Sequence, residues 1–198
     1  MLDMPVLETS RLLIRPFVME DLPEVHRLFD FEVSAADLRS DRMETLEERA
    51  QWLEWAVLNC VQLAKLRQPP YGDRAIILKP SPQLIGSCGF VPCLNAFEQL
   101  KTFAAAGNLS GLARYSPEVG LFYAISPAHR RLGYASEAAQ ALVDYAFSRL
   151  NLKRIVATTD YDNLASIGVM RRLGMRIEKN PRLEPEWLQV VGVLENDS

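Results

Sequence analysis

The amino-acid stretch from Glu118 to Glu137 reads EVGLFYAISPAHRRLGYASE, and the predicted fold is organised around it. Its apolar first part predicts a β-strand over residues 119–125. A loop with two arginines follows and leads to a helix that opens at Gly133. The first N–H groups of a helix have no acceptor within it, and the helix dipole is positive at this end. A strand that runs into such a loop and helix N-terminus suits a bound phosphate group.

The loop contains the pattern Arg130-x-x-Gly133-x-Ala135. Gly133 permits a positive φ or the close approach of a ligand, and Ala135 keeps the start of the helix small. Arg130 and Arg131 can offset the charge of a phosphate. The spacing alone is common in proteins, so an ordinary strand-to-helix turn with solvated arginines is the alternative. Two rival phosphate motifs, G-x-x-x-x-G-K-[ST] and a G-x-G-x-x-G after the first strand, are absent.

The composition indicates an ordinary globular protein of 198 residues, 48% of them hydrophobic and 24% charged. A formal net charge of -3 argues against a nucleic-acid partner, because proteins that bind nucleic acids carry a basic face. The sequence shows neither a secretory signal nor the roughly 20 consecutive apolar residues that would cross a bilayer. Cys60, Cys88 and Cys93 are odd in number and too few for a zinc site. They favour free thiols, no metal and a cytoplasmic location.

Downstream of the central stretch, apolar spacing predicts a helix over about 133–149. Residues 153–160 predict a strand that is apolar on both faces and therefore central in a sheet. Asn163 is predicted to cap another helix, which stops at Gly174. Two final strands are predicted at about 175–179 and 187–194.

Upstream, residues 9–17 alternate and predict a first strand, and Asp21 is placed as the N-cap of a helix. Thr45-x-x-Glu48 is a capping box that opens a second helix. A Pro-Pro pair ends this helix. A β-hairpin is predicted after it, at 75–79 and 84–91.

Residues 93–116 are a long gap between neighbouring strands and predict an insertion. Asn95 and Glu98 have capping-box spacing, and Gly107 could end a short helix here. Such a segment serves as a lid or an interface, or is a surface excursion without a role. No repeat or linker is visible, so one domain over residues 1–198 is predicted. The element order indicates an α/β (α+β) three-layer domain with a mixed, mostly antiparallel central sheet flanked by helices.

The chain resembles a known family, the GCN5-related N-acetyltransferases (GNAT superfamily), and within it the ribosomal-protein-alanine acetyltransferase-like branch. The family signature Q/R-x-x-G-x-G/A matches Arg130, Gly133 and Ala135. Further matches are GYASEA at 133–138, LETSRLLIRPF at 7–17, and Asn163-x-x-Ser166 with RRLGM at 171–175. The resemblance covers nearly the whole chain apart from the insertion and the extreme C-terminus. The motifs are specific in combination, and none of them is specific alone.

The resemblance implies acetyl-CoA as the acyl donor, wedged between the strands at 119–125 and 153–160, and no metal. Backbone amides from Arg131 to Ala135 would hold the pyrophosphate. The pantetheine arm would pair with the backbone of the first strand and bond a side chain at the start of the later helix. The implied donor-binding residues are Tyr123 and Ile125 on the strand, Arg130, Arg131, Leu132, Gly133, Tyr134, Ala135 and Ser136 in the loop, Asn163 for the pantetheine, and Ser166 near the sulfur.

For the chemistry, the resemblance implies that a neutral amine attacks the thioester and that a backbone N–H in a strand bulge near Leu121–Tyr123 stabilises the oxyanion. Glu118 is the candidate general base. It lies one residue before the glutamate of histone-type members, so strand alternation would aim it at the other face and favours a structural role. Many members carry a Tyr acid where this chain has Met170. Ser166 or water would then protonate the leaving thiolate, and the candidate catalytic residues are Glu118, Tyr123 and Ser166.

The implied function is transfer of an acetyl group from acetyl-CoA to a primary amine, either a protein N-terminal α-amine or a small molecule. An antibiotic, a polyamine or an amino acid as acceptor is one alternative. A non-catalytic acyl-CoA-binding sensor is another, because the Tyr acid is absent and the base is in doubt. A structural domain without a ligand is the third. Neither a nucleic acid nor a membrane is expected as a partner, and a homodimer is left open.

Overall fold

The computed structural model describes residues 4–33, 44–104, 114–182 and 184–196, and all structural statements concern these. Their strands are β1 (Leu7–Glu8), β2 (Leu12–Pro16), β3 (Gly72–Leu78), β4 (Gln83–Asn95), β5 (Ser116–Ile125), β6 (Arg154–Thr159), β7 (Arg176–Lys179) and β8 (Val190–Glu195). Their α-helices are α1 (Leu22–His26), α2 (Leu46–Lys65), α3 (Tyr134–Ser148) and α4 (Leu164–Arg172).

The strands form one mixed sheet in the order β1-β2-β3-β4-β5-β6-β8-β7, in which the registered pairs are antiparallel except between β5 and β6. The predicted α/β class and mostly antiparallel mixed sheet are confirmed. By its internal contacts the chain divides into two compact units, Met1–Phe90 with Phe122–Tyr145 and Val91–Leu121 with Ala146–Ser198. One domain over residues 1–198 stays a prediction.

In the first unit, β1 and β2 form a hairpin in which Leu7 lies opposite Ile14. Thr9 closes its turn: the Thr9 N–H donates to the Leu12 C=O, and the Thr9 Oγ1 accepts from the Leu12 N–H, both at 3.0 Å. The prediction of one strand over 9–17 is therefore wrong in its first residues. The Thr9 hydroxyl offers the backbone a local partner in place of a strand partner.

The capping box at Thr45 and Glu48 is confirmed, since Thr45 Oγ1 accepts from the Glu48 N–H at 3.3 Å and α2 follows directly. Asp21 occupies the predicted N-cap position of α1, but its carboxylate makes no cap bond to that helix. It accepts instead from Arg15 at 2.7 Å and from the Val18 N–H at 3.0 Å, and the second bond belongs to the capping box of the 3-10 turn at Met19–Asp21. The bidentate charged pair with Arg15 is stronger than one hydrogen bond to an amide.

The helices of the first unit cover one face of β3. Val25 and Leu28, from α1 and the π-helical turn after it, pack with Leu53 of α2 and Ala75 of β3 in one buried cluster. Trp52 meets this cluster at its edge. The predicted helical spacing of apolar residues therefore does place these faces in the core.

In the second unit, β8 lies between β6 and β7, with Gly192 opposite both Ala157 and Ile177. β5 pairs with β6 in parallel at Gly120 and Val156, as the predicted strand–helix–strand crossover requires. α4 begins after Asn163, whose side chain accepts from the Ser166 N–H at 3.0 Å, so this predicted cap is confirmed.

The segment predicted as an insertion is partly core. β4 continues to Asn95, and a 3-10 turn begins at Phe97. Asn95 does not cap this turn, because its Oδ1 accepts from Trp187 Nε1 at 2.8 Å. Phe97 and Leu100 are both buried, which argues against a surface excursion for this part of the segment. Gly107, the predicted helix end, lies outside the described residues.

Replacing Phe97 by Ala should lower the free energy of unfolding by about 3–5 kcal/mol, because it deletes a fully buried ring. Urea denaturation of the whole chain measures this. Lys101→Ala, in the same segment but exposed, is the control and should change the free energy by less than about 0.5 kcal/mol. Similar small effects of the two substitutions would contradict the placement of this segment in the core.

Candidate active site

The loop after β5 has a backbone shape suited to an anion. A 3-10 turn begins at Pro127, Arg130 is extended, and Arg131 then takes a positive φ of 62°. Gly133 follows with a φ of 86°, a left-handed conformation that glycine accepts without a steric penalty. α3 begins at the next residue, Tyr134. The expected positive φ at Gly133 is therefore present.

The start of α3 offers backbone donors that the helix does not use. The first bond of the helix runs from the Glu137 N–H to the Gly133 C=O at 3.0 Å. The N–H groups of Tyr134, Ala135 and Ser136 precede it and have no acceptor within the helix. The Ser136 Oγ is buried and has no hydrogen-bond partner within the described part of the chain. A phosphate oxygen fits such a group of donors.

Other predicted donor-binding residues lie close by in the same unit. Arg130 donates from Nε to the Ile125 C=O at 3.1 Å. The backbone of Ile125 is expected to contact the pantetheine. The bond from Arg130 occupies one lone pair of the Ile125 carbonyl oxygen, and the second lone pair stays available. Arg131 and Leu132 are exposed in the loop, and Tyr123 is half-buried on β5.

The N-terminal turn at Thr9–Arg11 contacts this loop, which sequence reasoning missed. Glu137 Oε1 accepts from the Thr9 hydroxyl at 2.6 Å, and Glu137 Oε2 accepts from Arg11 Nε at 2.7 Å. Burial disfavours the carboxylate, but hydrogen bonds from Thr9 and Arg11 outweigh it and hold the pKa of Glu137 below its ordinary value. The N-terminal turn and the start of α3 both lie in segments that match the family motifs. The sequence alone does not indicate that the two segments are in contact.

The second unit contains Asn163 and Ser166 at the start of α4. Asn163 Oδ1 accepts the Ser166 N–H, while the Asn163 Nδ2 has no hydrogen-bond partner among the described residues. Met170, which stands where many family members have a Tyr acid, is fully buried. A Cβ on Gly192 would lie 3.0 Å from the Met170 Sδ, so the side chain packs against β8 and supplies no proton.

Glu118, the candidate base, is held in an ion pair. Arg154 donates to both of its carboxylate oxygens, from Nε at 2.8 Å and from Nη2 at 2.6 Å. Only 9% of the Glu118 side chain is exposed, and the hydrogen bond to Glu118 raises the pKa of Arg154. Arg154 occupies both oxygens of this carboxylate in a bidentate pair, which supports the structural role.

The bulge expected near Leu121–Tyr123 stays a prediction. Directly after β5, the Ser126 N–H donates to the Ile85 C=O of β4 at 2.8 Å.

The family profile described as "Acetyltransferase (GNAT) domain" matches residues 11–176 of the chain. This chain belongs to the GNAT acetyltransferase family. It is an acyl-CoA-dependent N-acetyltransferase by that membership, as the resemblance in the loop and in α4 implied.

Two relatives in Bacillus subtilis are themselves uncharacterised N-acetyltransferases. YoaA is 28% identical over 175 residues, which is 88% of this chain and 84% of YoaA. YnaD is 46% identical over 61 residues, 31% of this chain and 35% of YnaD. Neither name indicates an acceptor.

Solved structures share the GNAT fold. A GNAT-family acetyltransferase from Bacillus anthracis has a TM-score of 0.67 at 21% identity and covers 98% of this chain and 100% of its own. A ribosomal L7/L12 alpha-N-protein acetyltransferase in complex with coenzyme A has a TM-score of 0.59 at 15% identity and covers 96% of both chains. At these identities the likeness concerns the fold alone.

The described residues include no helix long and apolar enough to span a membrane. They also contain no cluster of three or more His, Cys, Asp or Glu side chains suited to a metal ion. Cys60, Cys88 and Cys93 form no disulfide within the described part of the chain.

One carboxyl group of this GNAT protein departs from the paired pattern. The carboxylate of Asp73, on β3, makes no hydrogen bond or ion pair within the described part of the chain, and burial raises its pKa from 3.8 to about 6. The folded state therefore binds the proton more tightly than the unfolded state. The Asp73 contribution to stability is complete below about pH 4 and is lost as the pH rises through about 6.

Replacing Asp73 by Asn should raise the melting temperature at pH 7.5, where the wild type must bury a carboxylate, and should change it little at pH 4. Differential scanning calorimetry at the two pH values measures this. Asp144→Asn, at an exposed position of α3, is the control and should leave the difference between the two pH values unchanged. A lower melting temperature for Asp73→Asn at pH 7.5 would refute the assignment.

Proposed function

We propose that this GNAT protein transfers an acetyl group from acetyl-CoA to a primary amine. The observation that carries the proposal is the N-terminus of α3, where the Ser136 Oγ is buried without a partner beside backbone amides that the helix does not use. A buried hydroxyl without a hydrogen-bond partner is costly unless a ligand completes it. Within the GNAT family, the ligand that matches this place is the pyrophosphate of the acyl donor.

The proposed phosphate-binding residues are those from Arg131 to Ser136. Their backbone amides and the positive end of the α3 dipole bind the anion, and the exposed Arg131 adds a full charge. Acetyl-CoA itself supplies the activated acyl thioester. The side chain of Arg130 is held at the Ile125 C=O, so we assign it to shaping the loop rather than to direct neutralisation of the pyrophosphate.

The proposed pantetheine contacts are a side-chain amide at the start of α4 and the backbone of β5. The Asn163 Nδ2 is a donor for a pantetheine carbonyl, since only its Oδ1 is used in the cap of α4. Backbone groups of Tyr123 and Ile125 are the proposed strand-like partners of the arm.

For the acyl transfer we assign oxyanion stabilisation to the backbone N–H of Tyr123 and protonation of the thiolate to Ser166 or water. Glu118 is assigned a structural role, because Arg154 binds both of its oxygens. Without a base at Glu118, the acceptor amine must reach the thioester already neutral or lose its proton to water.

This requirement favours an acceptor of low pKa. A protein α-amine has a pKa of about 7.7–8.0 and is neutral in roughly a tenth of molecules at pH 7, whereas a lysine-type amine with a pKa of about 10.4 is almost never neutral. We therefore propose a protein N-terminal α-amine as the acceptor and a small-molecule amine as the second candidate. None of the three cysteines is in a disulfide within the described residues, which agrees with a reducing compartment, and we propose the cytoplasm.

Replacing Ser136 by Ala should weaken CoA binding by roughly 10-fold, because it removes a buried hydroxyl that the pyrophosphate would satisfy. Isothermal titration calorimetry with CoA measures the dissociation constant. Ser148→Ala, at the exposed far end of α3, is the matched control and should bind like the wild type. No binding to the wild type at millimolar CoA would overturn both the enzyme and the acyl-CoA sensor.

Thiol release from acetyl-CoA over a panel of N-terminal peptides, spermidine and free amino acids should separate an enzyme from a sensor. We expect release with peptides that carry a free α-amine, and none when that amine is blocked. Glu118→Gln should retain turnover within about 3-fold if its role is structural, whereas Ser166→Ala should lower it by about 10-fold or more if Ser166 donates the proton. CoA binding without release on any acceptor would support the sensor, and unchanged turnover of Ser166→Ala would remove that residue from the mechanism.

A further inference from the structure

Arg11 lies beside the proposed phosphate loop but is turned away from the role of a phosphate ligand. Its Nε and Nη2 bind Glu137 Oε2 at 2.7 and 2.6 Å, and its Nη1 donates to the Leu132 C=O at 3.0 Å. The guanidinium also lies over the ring of Tyr134, with its central carbon 4.4 Å from the ring centroid. Glu137 largely neutralises the charge of Arg11. Arg11 therefore acts on the loop mainly through the position of its contacts.

The contact with Leu132 fixes the orientation of one peptide group. A trans peptide is planar, and its C=O and N–H point in opposite directions. When Arg11 holds the Leu132 C=O, the N–H of Gly133 in the same peptide must point away from Arg11. A Cβ on Gly133 would lie 3.3 Å from the Arg11 Nη2, which places the guanidinium close against that side of the loop.

The loop needs such external support because its backbone is unusual. Arg131, which is not glycine, has a φ of 62°, and Gly133 has a φ of 86°. A left-handed conformation at a non-glycine residue is costly and persists where surrounding contacts determine it. The described contacts that hold the loop from outside include those of Arg11 to Leu132 and Tyr134.

Arg11 is itself held rigidly. Glu137 Oε1 accepts from the Thr9 hydroxyl at 2.6 Å, the Ser10 hydroxyl at 3.1 Å and the Arg11 N–H at 3.0 Å. Glu137 thereby fixes both the backbone and the side chain of Arg11. The turn between β1 and β2 and the first turn of α3 are thus joined through a single carboxylate.

We propose that Arg11, oriented by Glu137, is a positioning residue for the donor: it holds the Leu132–Gly133 peptide so that the Gly133 N–H faces the pyrophosphate together with the amides of α3. This inference rests on the proposed function, since it needs CoA in the loop. Arg11 makes no contact with the pyrophosphate and takes no part in the acyl transfer. Its loss should therefore weaken binding of the phosphate-bearing part of the donor and leave the chemistry intact.

The test compares CoA with pantetheine, which lacks the pyrophosphate, on the whole chain. Arg11→Met keeps much of the side-chain stem and should raise the dissociation constant for CoA and the acetyl-CoA KM by about 10-fold, the effect of losing one well-placed hydrogen bond to a charged ligand. The kcat should stay within about 3-fold, and the affinity for pantetheine should not change. Calorimetry and steady-state kinetics with the best acceptor of the panel provide these values.

Arg15→Met is the matched control, because Arg15 lies on β2 and forms an ion pair with Asp21 at 2.7 Å. It should bind CoA like the wild type even if it melts at a lower temperature. Arg11→Lys keeps the charge but cannot span Glu137 and Leu132 together, and it should bind CoA with intermediate affinity. This variant provides the measurement if Arg11→Met does not fold.

Two results would overturn the inference. One is an Arg11→Met or Arg11→Lys variant that binds CoA within about 2-fold of the wild type. The other is an equal loss of affinity for CoA and pantetheine, which would indicate a general loss of structure. Failure of the wild type to bind CoA would instead count against the proposed function, so the two failures are distinguishable.

Discussion

The first unit depends on the hydrogen bonds and the ion pair between the Thr9–Arg11 turn and the carboxylate of Glu137. A negative charge in the first turn of α3 is favourable for the helix dipole. Glu137 provides that charge without occupying the N-terminal amides, because its oxygens are bound by Thr9, Ser10 and Arg11. The helix start is therefore fixed in place while its donors stay available for an anion from outside.

The carboxylates of this protein show how differently the same chemical group is used. Glu137 is half-buried and accepts hydrogen bonds on both oxygens, and Arg154 binds both oxygens of Glu118. The Asp73 carboxylate has no partner among the described residues, and burial raises its pKa. The lowered pKa of Glu137 means that its bonds stabilise the fold at neutral pH, whereas Asp73 costs stability there. Because Glu118 is bound by Arg154, it is not assigned as the base that deprotonates the acceptor amine. An amine of lower pKa is neutral more often and is therefore the better acceptor.

Local sequence patterns predicted the helix starts at which the capping bond joins residues close together in the chain. The caps at Thr45 and Asn163 bond amides within three residues, so their partners are fixed by the chain itself. The cap predicted at Asn95 was wrong for the opposite reason. Trp187 reaches that side chain through tertiary structure, and no local pattern reports its approach.

The sequence by itself determined the α/β class, the order of the main strands and helices, the glycine at 133 and the GNAT family. These features follow from periodicity, from backbone rules and from motifs that are contiguous in the chain. Only the tertiary structure decided that EVGLFYAISPAHRRLGYASE begins and ends on carboxylates already bound by arginines from elsewhere, Arg154 at Glu118 and Arg11 at Glu137. Ion pairs between distant residues depend on which elements pack together, and that packing is the sum of many weak contacts that no single stretch encodes.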